Sequence, residues 1–261
     1  MRVKSAVCLM VFALLQGSVA ARARQGAPGS PPRMTTGQHA RRLRGRSVSA
    51  FSLKYLLYLP GDYGKVRKRW PLILYLHGGS LRGDDPERLK EYGLPKLLEA
   101  RKDFPFIVVS PQCPEGETWS DAGELIKLLD AVEASYSVDR SRVYLTGISM
   151  GGYGTWYLAY KHPERFAAIA PLAAYSPITY WASSGRLKGT PVWVFHGEKD
   201  EVTPPDEARE MARLLEQVGG DVRFSLLPGQ GHGIADVYQD GQLYDWFLRH
   251  RRGAGGARAG R

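Results

Sequence analysis

Cysteine is scarce in this sequence of 261 residues. There are two, and Cys8 lies in a segment that reads as removable, which leaves Cys113 alone in the body of the chain. A single thiol cannot form an intramolecular disulfide, and no cysteines and histidines fall at the spacing of a zinc site. Cys113 is therefore expected to be a buried structural thiol, with the hydrophobic core holding the fold. Acidic residues are missing from both ends. Residues 1–50 carry nine basic side chains and residues 249–261 carry five, with no carboxylate in either stretch. The formal charge of +10 belongs to these ends, because residues 51–248 hold 22 basic against 26 acidic groups, a net of −4. That distribution argues against a folded basic surface gripping nucleic acid, and no nucleic-acid partner is expected. Long apolar runs are missing too. The run at residues 6–15 has ten residues, too few for a permanent span of the bilayer.

That short run has another reading. Arg2 and Lys4 precede it, and Ser18-Val19-Ala20 follows with the small residues a signal peptidase accepts. We expect a signal peptide over residues 1–20, cleaved after Ala20, giving a secreted or periplasmic protein without an integral membrane span. Residues 21–50 are rich in Arg, Gly, Ser and Pro, and contain no aromatic side chain. Such a segment buries too little apolar surface to offset its ordering entropy, so a disordered basic linker is expected there. The same reasoning makes residues 251–261 a disordered basic tail.

Between these ends, strands alternate with helices. An opening strand at residues 51–59 is closed by Pro60-Gly61. The apolar runs at 71–76, 106–110, 142–146, 166–174 and 191–195 read as strands buried on both faces, with a last strand at 222–227. Helical patterns lie at 86–100 (interrupted near Gly93), from Ser120 or Asp121 to about Tyr136, at 151–161, near 205–218 and at 242–249. The order predicts one α/β domain over residues 51–250, with a mostly parallel sheet covered by helices on both faces and no insertion long enough for a large lid.

Gly147-Ile148-Ser149-Met150-Gly151 is a G-x-S-x-G falling between a predicted strand and a predicted helix. A sharp turn there presents Ser149 as a nucleophile, and the flanking glycines permit the tight backbone. Of six histidines, His39 and His250 lie in or beside the basic ends, His162 ends a helix, and His77 and His196 close strands in His-Gly pairs that shape turns. His232, in the glycine-rich loop after the last strand, is the expected base. The orienting acid should follow the strand at 191–195, where Glu198, Asp200 and Glu201 are candidates. Asp200 is preferred, with Glu198 as fallback. The order Ser149, Asp200, His232 is that of α/β-hydrolases. Acyl transfer also needs backbone N–H groups for an oxyanion. Met150 should supply one and Gly79 the other, with Ser80 as the alternative in His77-Gly78-Gly79-Ser80.

With these pieces placed, the segments LYLHGGSLRGDD, SPQCPEGETW, SVDRSRVYLTGISMGGYGTW, HPERFAAIAPLAA and VFHGEKDEVTP resemble exported α/β-hydrolases. The group is that of phospholipase/carboxylesterases and polyhydroxybutyrate-depolymerase-like enzymes, with feruloyl and acetyl esterases and "predicted peptidases" as relatives. The resemblance covers about residues 50–250. It implies ester hydrolysis through an acyl-enzyme without metal or organic cofactor, and it places Trp119 near the cleft. Tyr175, Tyr180 and Trp181 are candidates for an aromatic acyl-binding wall, or else for ordinary core and surface positions. The implied substrate is a small or carbohydrate-linked ester. A serine peptidase on short peptides is one rival reading, and a non-catalytic module binding polysaccharide or polyester is another. Oligomeric state is not legible.

Overall fold

The computed structural model describes residues 35–46, 50–174 and 180–253. The expected signal peptide, the linker up to residue 34, Tyr175 and the tail from residue 254 lie outside the described residues, as do the side chains of Tyr180 and Trp181.

Eight strands form one sheet in the order β1-β2-β4-β3-β5-β6-β7-β8. They are β1 (Gly37–Arg46), β2 (Ala50–Leu59), β3 (Trp70–Leu76), β4 (Ile107–Pro111), β5 (Val138–Ile148), β6 (Ala168–Leu172), β7 (Val192–Gly197) and β8 (Val222–Leu227). β1 and β2 run antiparallel to their neighbours, and all pairings from β4 to β8 are parallel. The helices are α1 (Gly93–Ala100), α2 (Ala122–Ser135), α3 (Met150–Lys161), α4 (Tyr180–Ser183), α5 (Pro205–Gln217) and α6 (Gly241–Arg249).

The parallel strands read as unbroken apolar runs because both faces of the sheet are covered. In β3, Leu72, Leu74 and Leu76 point into one core with α2, α3 and α5, among Leu128, Trp156 and Met211. Ile73 and Tyr75 point into the other, with Leu94 and Leu98 of α1 and Tyr244 and Phe247 of α6. The period-2 alternation of a strand thus feeds two hydrophobic layers. Asp121 caps α2, its carboxylate accepting from Glu124 N at 3.1 Å. The expected helix at 86–100 is divided. A 3₁₀ segment, Pro86–Glu91, ends at Tyr92, and α1 starts at Gly93 with φ +67°, where a side chain would collide with the Tyr75 hydroxyl.

One expectation is corrected. Residues 37–46, assigned to the disordered linker, form strand β1, in register with β2 from Gly37↔Leu59 to Arg46↔Ala50. Among its described side chains Leu43 packs against the core and Gln38 Nε2 donates to Pro95 O of α1 at 3.0 Å, while Arg41, Arg42 and Arg44 are exposed. The strand is held by its backbone ladder, and apolar periodicity cannot reveal that. Its charged, twisted edge also discourages pairing with other chains.

The register fixes what happens at the carboxyl edge. Leu76 pairs with Gly147, Ile148 with Leu172, Leu172 with Phe195, and Gly197 with Leu227. Strands β3, β5, β7 and β8 therefore end together, and the loops leaving them meet above one edge of the sheet.

Candidate active site

Ser149 sits between β5 and α3 with φ 57° and ψ −121°, a left-handed conformation that costs a non-glycine residue on the order of 1–3 kcal/mol. The surroundings impose it. Ser149 N donates to Leu172 O at 2.9 Å, and Tyr153 N to Ser149 O at 3.0 Å. A Cβ on Gly147 would collide with Gly151 O, and one on Gly151 with Leu76 O, so strand and helix approach backbone to backbone where only glycine fits. The hydroxyl is thereby held clear of the sheet at the start of α3.

His232 Nε2 lies 2.8 Å from Ser149 Oγ. On its other side, His232 Nδ1 lies 2.9 Å from Asp200 Oδ2 and 3.1 Å from Oδ1. The three residues predicted from the order of strands are brought into one hydrogen-bonded chain. Two contacts fix the loop that carries His232. Lys199 N donates to Gln230 O at 2.8 Å, and Gly229 N donates to Glu198 Oε2 at 2.8 Å. Glu198, the fallback acid, is an exposed brace for the histidine loop and makes no hydrogen bond to the imidazole among the described residues.

Asp200 is buried, and its carboxylate is richly solvated by protein. Oδ1 accepts from Val202 N at 3.0 Å and Thr203 N at 2.9 Å, and Thr203 Oγ1 lies 2.7 Å from Oδ2. Burial pushes its pKa up, but the Thr203 N–H, His232 and the Thr203 hydroxyl outweigh that, so the carboxyl group lies below its ordinary value. It stays an anion facing the imidazole.

Two contributors escaped the sequence reading. His196, assigned to turn shape, is fully buried, with Nε2 2.7 Å from Thr203 O and 3.2 Å from Asp200 Oδ2. Its Nδ1 has no partner among the described residues. A ring carrying its proton on Nε2 donates toward both oxygens and leaves only a lone pair unmatched, the cheaper omission. Burial lowers its pKa, which favours that neutral form. Thr203 ties the acid to β6, its Oγ1 lying 3.1 Å from the carbonyl of Ala173, itself at φ 46°. Neither residue belongs to a short motif, so only the fold reveals their position around Asp200.

The turn after β3 faces the nucleophile. The position a Cβ would take on Gly78 is 3.6 Å from Ser149 Cβ. Gly79 opens a short 3₁₀ turn, Gly79–Leu81, and Met150 opens α3. First-turn N–H groups have no acceptor within their own helix, so both amides are free to serve a ligand, and the positive end of α3 adds to the field at Ser149.

Trp119, expected near the cleft, is buried against the turn after β3. Its Nε1 donates to His77 O at 2.9 Å, and its ring meets the His77 imidazole edge-on at 5.0 Å. Indole and imidazole together brace the turn bearing Gly78 and Gly79. His77 Nδ1 lies 2.7 Å from Gly78 O, and Nε2 accepts from Cys113 N at 3.0 Å. The ring is therefore neutral, and burial drives its pKa down to about 4. Cys113 is buried and unpaired, as expected, with burial pushing its thiol up to about 11.

The low pKa of His77 predicts an acid sensitivity. An unfolded chain takes up this proton near pH 6.5, whereas the folded protein refuses it until about pH 4. The stabilising contribution is complete above 6.5 and declines as pH falls through that window, by about 1.4 kcal/mol per unit. His196 and His250, both lowered by burial, act with the same sign. Urea unfolding should show a loss of roughly 2 kcal/mol or more between pH 7 and pH 5. Equal stability at the two values would contradict the buried neutral imidazole.

No group of His, Cys, Asp and Glu suited to a metal ion occurs among the described residues, and none of their helices is long and apolar enough to cross a membrane.

A nucleophile on a strand-to-helix turn, a histidine after the last strand, and an acid after the strand before it define an α/β-hydrolase fold. A family model described as phospholipase/carboxylesterase matches residues 104–239, and the chain belongs to that family. It is 30% identical over 209 residues to a probable feruloyl esterase C of Aspergillus terreus, covering 74% of this chain and 68% of that protein. An uncharacterized secreted protein of Arthroderma benhamiae is 26% identical over 214 residues, 68% of this chain. The chain spans only 23% of that relative's length, and 19% and 27% of two others. Among solved structures, a thermostable esterase superposes with a TM-score of 0.68 at 26% identity, over 82% of this chain and 63% of that one.

Proposed function

We propose that the protein is an exported serine esterase that hydrolyses carboxylic esters, including acyl groups carried on carbohydrate, through an acyl-enzyme on Ser149. The observation that carries this reading is the unbroken line from Ser149 Oγ through His232 to Asp200, with contacts of 2.8 and 2.9 Å. In this mechanism Ser149 Oγ attacks the acyl carbon as its proton passes to His232 Nε2. Asp200 keeps the ring's other proton on Nδ1 and stabilises the imidazolium that forms. The N–H groups of Gly79 and Met150 hold the oxyanion. Collapse of the tetrahedral species breaks the ester C–O bond, and His232 returns the proton to the departing alcohol. Water, activated by the same imidazole, then releases the acid.

Every group in this scheme belongs to the chain itself. The feruloyl esterase relative supports a feruloyl-type acyl group, a bifunctional acetylxylan esterase/xylanase relative supports a carbohydrate carrier, and the secreted relative supports export. Assay of feruloyl, acetyl and short p-nitrophenyl esters beside matched peptide anilides tests the reading. Esters should be turned over with kcat/KM at least about a hundredfold above the amides, because an amine is the poorer leaving group. A preference for the anilides would establish the peptidase instead, and silence on every substrate the binding module.

A further inference from the structure

The turn that offers Gly79 also carries a cation. The Cβ position of Gly79 lies 3.3 Å from Arg82 Nη1 and 4.0 Å from Nη2. A Cα–Cβ bond is about 1.5 Å, so the guanidinium stands within about 5 Å of Gly79 Cα. The neighbouring Gly78 faces Ser149, so the half-buried Arg82 packs against the same turn that faces the nucleophile.

Arg82 is anchored at its stem. Nε donates to Glu117 O at 2.5 Å, and the guanidinium lies close enough to Cys113 to act on its thiol. Arg88 reinforces the turn from outside, with Nη1 3.3 Å from Arg82 O and Nη2 3.4 Å from Ser80 O. Neither arginine forms an ion pair among the described residues. The nearby acids are engaged elsewhere: Asp84 with Lys54 at 3.4 Å, Glu87 with Lys90 at 2.8 Å, and Asp85 capping Glu87 N. Glu115 and Glu117 are exposed in the loop after β4 and pair with neither arginine. Residues 51–248 carry a net charge of −4, so an uncompensated guanidinium at this point is not a by-product of general basicity.

We propose that Arg82 forms a carboxylate subsite beside the oxyanion turn, so that the preferred substrates are acidic esters bearing a carboxylate roughly 5–8 Å from the scissile carbonyl. This rests on the esterase reading and narrows its substrate class. The planar fork of arginine matches a carboxylate with two parallel hydrogen bonds, and tying Nε to a backbone carbonyl pre-orients the Nη atoms. Half-esters of dicarboxylic acids place the charge on the acyl side, and esters of hydroxy acids or acidic sugars place it on the alcohol side.

Two matched pairs of substrates test the subsite. p-Nitrophenyl hemiglutarate against p-nitrophenyl valerate varies charge on the acyl side, and 3-acetoxybenzoate against 3-methylphenyl acetate varies it on the alcohol side. In one pair at least, the ratio of kcat/KM for the acidic over the neutral ester should fall about tenfold or more in Arg82→Gln. Arg82→Lys, which keeps the charge without the fork, should retain part of the ratio. In the wild type, 0.5 M salt should lower it. An unchanged ratio in both pairs, or an equal fall for both members, would mean that Arg82 only braces the turn and would overturn the subsite alone. A wild-type protein that hydrolyses neither member of either pair overturns the subsite and the esterase reading together.

Discussion

Ser149→Ala should lower kcat on a carboxylic ester by about 10⁴–10⁶, His232→Ala should do nearly as much, and the double variant should cost little beyond either alone. The non-additivity follows from the contact of 2.8 Å between Oγ and Nε2. Without the imidazole, the Ser149 hydroxyl stays protonated and unreactive, and without the hydroxyl, the imidazole has no nucleophile to activate. A residual rate above the uncatalysed reaction should persist, because the Gly79 and Met150 amides and the field of α3 are untouched. The fold should also survive Ser149→Ala. Alanine takes the same backbone, and the strain at φ 57° is imposed by the Leu172 O contact and the Gly147–Gly151 approach, which do not involve the hydroxyl. Initial rates on p-nitrophenyl butyrate, with circular dichroism as the folding control, check both statements. Full activity in a purified Ser149→Ala protein would remove the mechanism.

What could be read from the sequence divides along a physical line. Strands β3, β4, β6 and β7 and the second half of β5 were legible because a parallel strand covered on both faces must be apolar, as PLILYL and PVWVF are, whereas the polar Asp139, Arg140 and Ser141 at the start of β5 gave no such signal. The nucleophile was legible because its turn is a local solution, with glycines at 147 and 151 where backbones touch. The positions of Asp200 and His232 could be inferred from strand order alone, since both lie at the carboxyl edge that the register aligns. Strand β1 was illegible for the opposite reason. GQHARRLRGR buries one leucine, and its stability resides in backbone hydrogen bonds to β2, which leave no trace in side-chain periodicity. Trp119 and His196 illustrate a second limit. The resemblance implied Trp119 near the cleft and the His-Gly pair suggested that His196 shapes a turn, but the indole N–H is committed to His77 O and the imidazole to Thr203 O, partners 42 and 7 residues away. Such contacts are decided by the packing of loops, and no local pattern announces them.

The sharpest discrimination lies between the two carboxylates of Glu198-Lys199-Asp200. Asp200→Asn should keep the fold, because an amide oxygen at Oδ1 still accepts from Val202 N and Thr203 N. The other amide position is the difficulty. An NH₂ placed where Oδ2 stood would donate toward His232 Nδ1 and meet the Thr203 hydroxyl as a second donor. The imidazole would respond by accepting at Nδ1 and carrying its proton on Nε2, directed at Ser149 Oγ. It could then no longer remove the serine proton, and kcat should fall by about 10⁴. KM should change little, since Asp200 is buried and out of reach of substrate. Glu198→Gln is the counterpart. Its amide oxygen can still accept from Gly229 N, the residue is exposed, and the imidazole does not depend on its charge. Its effect should stay within about twofold. Measuring kcat for both variants on one ester decides the matter. A crippled Glu198→Gln beside a mild Asp200→Asn would transfer the orienting role to Glu198, which would require the histidine loop to move away from the 2.9 Å contact it makes with Asp200.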